Sequence, residues 1–159
     1  MKMDLGGAAA CLGAFSAAVR LGCARPLHAI LCCAENAIGP SSYRNDDVIT
    51  LLSGKSVEIN NTDAEGRLVL GDGVAFASQT LPNLGLLIDV ATLTGAQMVA
   101  TGKRHAGIVC SSESIEARAV AAGKRSGDLV HPLPYAPEFF RSEARGKKCV
   151  KNVPQTAEH

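Results

Sequence analysis

Apolar and polar positions alternate along this chain with more than one period, and each period predicts a different element. Leu5, Ala8, Ala9, Leu12, Phe15 and Val19 fall at i, i+3, i+4, i+7, i+10 and i+14. That spacing predicts an amphipathic helix of about four turns, closed at Gly22. His28 to Ala34 is a short apolar run without helical period, which reads as a buried strand. Asn36 to Asp47 carries Gly39, Pro40 and several polar residues, and reads as a long functional loop or crossover. Val48 to Leu52 and Val57 to Ile59 flank Ser53-Gly54-Lys55 and predict a hairpin. Asn60 to Glu65 then enters a second helix near Gly66, with Leu70, Val74, Ala77 and Leu81 as its buried stripe and Pro82-Asn83 as its stop. Leu84 to Val90 and His105 to Cys110 read as two further buried strands. Ser112 to Lys124 reads as a helix capped by Ser112. Strands alternating with helices predict an α/β fold, a mixed or largely parallel sheet flanked by helices.

Composition narrows the function. The 159 residues are 47% hydrophobic and 19% charged, enough for one domain with a core and too apolar for disorder over most of the length. The net charge of +1 and the 4% aromatic content, with no Trp, argue against nucleic-acid binding. No apolar run reaches about 18 residues, so no membrane span is expected. Cys11, Cys23, Cys32, Cys33, Cys110 and Cys149 lack metal-ligand or small-scaffold spacing and read as reduced core thiols of a cytoplasmic protein. Gly54-Lys55-Ser56 lacks the upstream glycine of a phosphate-binding loop, since Ile49 stands there. Gly6-Gly7 and Gly71-Asp72-Gly73 lack a dinucleotide fingerprint and read as sites of close helix packing.

The densest chemistry lies in Asn61-Thr62-Asp63-Ala64-Glu65-Gly66-Arg67-Leu68. Were the segment extended, Asp63, Glu65 and Arg67 would leave one face. Two carboxylates so close call for a cation or a shared proton between them. Arg67 could then hold an anionic or carbonyl oxygen alongside. The structural alternative is a capping box, with Thr62 at the helix start and Glu65 three residues on.

This octapeptide resembles the signature of the leucyl aminopeptidases, also called cytosol aminopeptidases. Two more segments carry the resemblance, in the family's order: Met1-Lys2-Met3-Asp4-Leu5-Gly6-Gly7-Ala8-Ala9 and Ala91-Thr92-Leu93-Thr94-Gly95. Ile88 to Gln97 and His131-Pro132-Leu133-Pro134-Tyr135 look closest to the animal aminopeptidase-like branch. The resemblance implies a partial catalytic domain over residues 1–142, with a divergent, disordered tail over 143–159. It implies a metal-dependent aminopeptidase acting on peptides with a free amino terminus, homo-oligomeric as the family's hexamers are, with neither nucleic acid nor membrane as partner. Asp4, Asp63 and Glu65 take metal-ligand positions. Arg67 takes the catalytic position, where the family places a bicarbonate-assisted base. Thr92, Leu93 and Gly95 take positions whose backbone lines the substrate cleft. The implied cofactors are two divalent ions, Mn²⁺ or Zn²⁺, with Mg²⁺ also compatible with hard carboxylate ligands.

The chain departs from the family pattern at both ends. The family's first metal-binding and catalytic block, with a lysine and an aspartate ligand and a second, catalytic lysine, lies upstream of the segment matching Met1. Beyond about Arg141 the resemblance ends. The expectation is a truncated product, poorly active or inactive alone. The alternative is a non-catalytic chain acting through subunit association.

Overall fold

The computed structural model describes residues 2–136 and Glu138. They divide into two compact units, the first ending at Leu93 and the second beginning at Thr94. The 143–159 tail lies outside the described residues.

The first unit opens with a 3-10 turn, Lys2–Leu5, that runs directly into helix α1, Gly6–Arg20. Alanine fills much of α1, and alanine costs least to order in a helix. The helix ends where the sequence predicts. Gly22 adopts φ +74°, its N–H donates to the Val19 carbonyl, and the Cys23 N–H donates to that of Ala18. These two bonds form a Schellman motif and occupy carbonyls that the helix end would otherwise leave open.

Strands β1 (Val48–Thr50) and β2 (Ser56–Glu58) form the expected antiparallel hairpin, with Ile49 opposite Val57. Gly54 takes the left-handed conformation at its turn, φ +79°. Backbone bonds beyond the strand ends lengthen the ladder: Asp46 N–H to the Ile59 carbonyl at 2.6 Å, and Ile59 N–H to the Asp47 carbonyl at 2.8 Å. Alternation along β2 turns Val57 and Ile59 inward. They bury against Leu68, with Tyr43, Ile49 and Leu51 packed around them.

Leu68 belongs to helix α2, Glu65–Thr80. The buried residues of α2 are Leu68, Ala75 and Ala77. Of the expected stripe only Ala77 is fully buried, while Val74 is exposed. Close approach rather than side-chain size sets this face. A Cβ added to Gly71 would reach van der Waals contact with Leu51, beside the hairpin, and one on Gly73 would collide with the Cys32 sulfur. Residues 71 and 73 are about 200° apart on a helix, so α2 packs on two opposite sides through its smallest residues. Asp72 adds a polar tie, its Oδ1 accepting the Leu52 N–H at 2.8 Å. Leu81 is extended, as a residue before proline must be, and stops the helix.

Two expected strands are absent. His28–Ala34 and Leu84–Val90 run without ladder bonds to any described residue, and Leu31, Leu86 and Ile88 are exposed. Apolar content decides what a run can bury, but a strand exists only where a neighbour supplies its hydrogen bonds. The cysteine reading changes likewise. The five described thiols are free, but Cys23, Cys32 and Cys33 are exposed rather than core.

The second unit is a strand–helix–strand motif preceded by the short helix α3, Ala96–Thr101. Strand β3 (His105–Ile108) pairs in parallel with β4 (Leu129–Pro132). Between them runs α4, Glu113–Ser126, with Ser112 at the expected N-cap position, although its hydroxyl meets Ser114 Oγ at 2.8 Å and makes no capping bond. Glu113 and Glu116 in its first turn and Lys124 and Arg125 in its last complement the helix dipole. Gly127, φ +80°, closes it. Helices and small sheets with a parallel pair match the expected α/β class.

The packing around Gly73 has a chemical consequence. Although Cys32 as a whole is exposed, its sulfur lies against Gly73, and this partial desolvation first, then the charges of Cys33, Asp72 and Asp89, push the thiol up from its ordinary value. A raised thiol holds less thiolate at a given pH and alkylates more slowly. Asp89→Asn removes one of these charges and is expected to speed iodoacetamide labelling of Cys32 at pH 8, read by peptide mass spectrometry. An unchanged rate would remove Asp89 as a cause.

Candidate active site

The three motifs that carry the family resemblance meet at one place in the first unit. Ala91, Thr92 and Leu93 touch the start of α1 and the start of α2. On the α1 side, an added Cβ on Gly7 would sit 2.5 Å from Ala91 Cα, and Gly7 is buried. The Gly7 N–H donates to Thr92 Oγ1 at 2.7 Å. On the α2 side, an added Cβ on Gly66 would sit 3.1 Å from Leu93 Cδ2. Asp4 lies in the turn just before α1. Asp63 and Glu65 lie just before Gly66. Glycine is needed at position 7 because backbone approaches backbone there.

The acidic string is not extended. Asp63 sits in a 3-10 turn, Thr62–Ala64, and Glu65 and Arg67 sit in the first turn of α2. Strand alternation therefore does not bring them onto one face. Residues 65 and 67 point about 200° apart around the helix. The capping box is absent too. Asn61, not Thr62, caps the turn, its Oδ1 accepting the Asp63 N–H at 3.0 Å. Asparagine is among the best N-caps, and its place one residue earlier was the missed signal.

Each expected site residue has a definite setting. Asp4, Asp63 and Arg67 are exposed. Glu65 is half-buried, and its Oε1 accepts from Asn36 Nδ2 at 3.4 Å. Tyr43 stands near enough that the Glu65 charge, after burial itself, holds the phenol above its ordinary value. The segment from Asn36 to Asp47, expected as a functional loop, thus reaches Glu65 through the Asn36 side chain, and Tyr43 in the same segment feels the Glu65 charge. Sequence reasoning missed both Asn36 and Tyr43. Thr92 directs its hydroxyl at α1, and Leu93 its side chain at Gly66. Gly95 belongs to the second unit, as N-cap of α3.

Among the described residues, no three His, Cys, Asp or Glu side chains gather closely enough to cage a metal ion. Asp4, Asp63 and Glu65 have the right hard-oxygen chemistry for divalent ions, but the structure does not gather the three into one ligand group.

The family model for the catalytic domain of the cytosol aminopeptidase family matches residues 1–158. The chain belongs to the cytosol aminopeptidase family. It is similar to the probable aminopeptidase NPEPL1 of Mus musculus, 58% identical over 143 residues covering 90% of this chain and 27% of that protein. The resemblance to the animal branch holds there. Among solved structures, leucine aminopeptidase (LAP1) of Caenorhabditis elegans superposes with a TM-score of 0.85 at 49% identity, covering 91% of this chain and 29% of that one. The apo leucyl aminopeptidase of Trypanosoma brucei gives 0.80 at 49% identity, over 93% and 29%. The chain therefore spans somewhat over a quarter of the length of these relatives. Family members of this kind are aminopeptidases, hydrolases of peptide bonds. No described helix is long and apolar enough to cross a membrane.

Close approach at Gly7 makes a quantitative prediction. Gly7→Ala forces its methyl into Ala91 and is expected to destabilise the first unit by about 1–3 kcal/mol. Gly13→Ala lies in the same helix with nothing within 4 Å and is expected to stabilise by about 0.5–1 kcal/mol. Urea unfolding of both variants checks the pair. Equal shifts would mean that the junction is not close-packed.

Proposed function

We propose that this chain carries part of the active site of a cytoplasmic, metal-dependent aminopeptidase that removes amino-terminal residues from peptides. Asp4, Asp63 and Glu65 are its metal ligands. Arg67 is its catalytic arginine, holding an anion such as bicarbonate. The backbone of Thr92, Leu93 and Gly95 lines the substrate cleft. The observation that supports this reading is that the helix starts beside the Asp4 and the Asp63–Arg67 motifs both contact Ala91–Leu93, Gly7 against the Ala91 backbone and Gly66 against the Leu93 side chain.

Two divalent ions, Mn²⁺ or Zn²⁺ with Mg²⁺ also compatible, are the cofactors this reading calls for. The described residues supply only part of their ligand set, so the chain by itself binds such ions weakly. Asn36 donates to the Glu65 carboxylate and orients it. Arg67, exposed on α2, is free to take an oxyanion in bidentate fashion. Self-association as a homo-oligomer belongs to the same reading.

Calorimetric titration with Mn²⁺ tests the ligand assignment. Asp63→Asn and Glu65→Gln are each expected to weaken binding at least about fivefold, because two unit charges 4 Å apart in water are worth about 1 kcal/mol. Glu116→Gln, in the second unit, is expected to change nothing. Equal affinity in wild type and in the Asp63/Glu65 double variant would remove the metal role.

The non-catalytic reading has one observation in its favour. Leu84, Leu86, Leu87, Ile88 and Val90 stand exposed on a run without ladder partners among the described residues, as a surface for subunit association would. Hydrolysis of a leucyl amide with Mn²⁺ supplied separates the two. The 159-residue chain is expected to stay near background, because removing members of a catalytic unit leaves little rate. A chain of the relatives' length that includes this segment is expected to be active and chelator-sensitive, and to lose turnover on Arg67→Ala. Robust activity of the short chain would contradict the incomplete ligand set. An inactive but folded long chain would favour association.

A further inference from the structure

The geometry points to Thr92 as a positioning residue, whose hydroxyl holds the start of α1, and with it the Asp4 turn, against the Ala91–Leu93 segment. A helix start leaves its first N–H groups without intrahelical partners. Here the N-cap residue is Leu5, which has no side-chain oxygen and makes no capping bond. Gly7 is buried, so water does not readily replace a missing acceptor. Thr92 Oγ1, 85 residues away in sequence, fills that role at 2.7 Å. The two glycines make room for it. A Cβ on Gly6 would stand 3.2 Å from the same Oγ1, and one on Gly7 would overlap Ala91. An N–H left unpaired at a buried site costs more than an ordinary hydrogen bond gains.

The hydroxyl of Thr92 is therefore committed to the fold. The cap acts on Asp4 through the short 3-10 turn Lys2–Leu5, which passes directly into α1. The inference rests on the aminopeptidase reading only for the role of Asp4, and the hydrogen bond itself is measurable without any metal or substrate.

Thr92→Val keeps the shape and removes the acceptor, and Thr92→Ser keeps the acceptor and removes a methyl. Amide exchange at Gly7, followed by NMR on the 159-residue chain, is expected to accelerate about tenfold in Thr92→Val and to stay near wild type in Thr92→Ser. The Asp4 and Leu5 amide resonances are expected to move in the valine variant and to return in the serine variant. Far-UV circular dichroism of both variants checks that α1 persists. Unchanged Gly7 exchange in Thr92→Val would overturn the hydrogen bond. Faster Gly7 exchange with unmoved Asp4 and Leu5 resonances would overturn the positioning role. If the Mn²⁺ titration fails while these shifts appear, the metal-ligand assignment falls and the Thr92 cap stands.

Discussion

Backbone-to-backbone approach at Gly7 and Ala91 is the constraint on which the first unit's chemistry depends. A single Cβ at position 7 would separate α1 from the Ala91–Leu93 segment. That contact, with the Thr92 hydrogen bond beside it, fixes where Asp4 can be. The start of α2 meets the same segment more loosely, since a Cβ on Gly66 would press only on the Leu93 Cδ2 methyl, at 3.1 Å. Two stretches far apart in sequence thereby share one short segment.

The acidic string has a second support. Val57, Ile59 and Leu68 form a small buried cluster that joins the hairpin to the first turns of α2. The bond from Leu52 N–H to Asp72 holds the two elements further along. Between them the chain must turn sharply from β2 into α2, and Asn61 caps that turn. The carboxylates are thus carried on a rigid corner and not on a free loop. Exposure of Asp63 and Arg67 follows from the same corner, since its inner side is already filled by Leu68 and Tyr43.

Much of this was legible in the sequence because it is local. Helix α1 and its glycine stop, the hairpin, the entry into α2 and the Ser112 cap all depend on residues within a few positions of one another. What failed depends on partners. His28–Ala34 and Leu84–Val90 have the composition of buried strands, yet no described neighbour pairs with them. The stripe of α2 was misplaced because glycine, invisible to a hydrophobic period, decides which face packs closest. The extended geometry assumed for Asp63, Glu65 and Arg67 failed because Asn61 starts a helical turn before the first of them. β4 and α3 went unnoticed, the one ending in a proline and the other only 6 residues long. The site residues themselves came from family resemblance, and the structure adds Asn36, Tyr43 and the hydroxyl of Thr92, which no spacing rule marks.

The central claim is that α1 and α2 both close on Ala91–Leu93 through their glycines. Proton–proton cross-relaxation in the 159-residue chain measures this directly. The account predicts strong cross-peaks between a Gly7 Hα and the Ala91 Hα, and between a Gly66 Hα and a Leu93 methyl, within one folded species. Absence of the Gly7–Ala91 cross-peak, with α1 still helical, would contradict it.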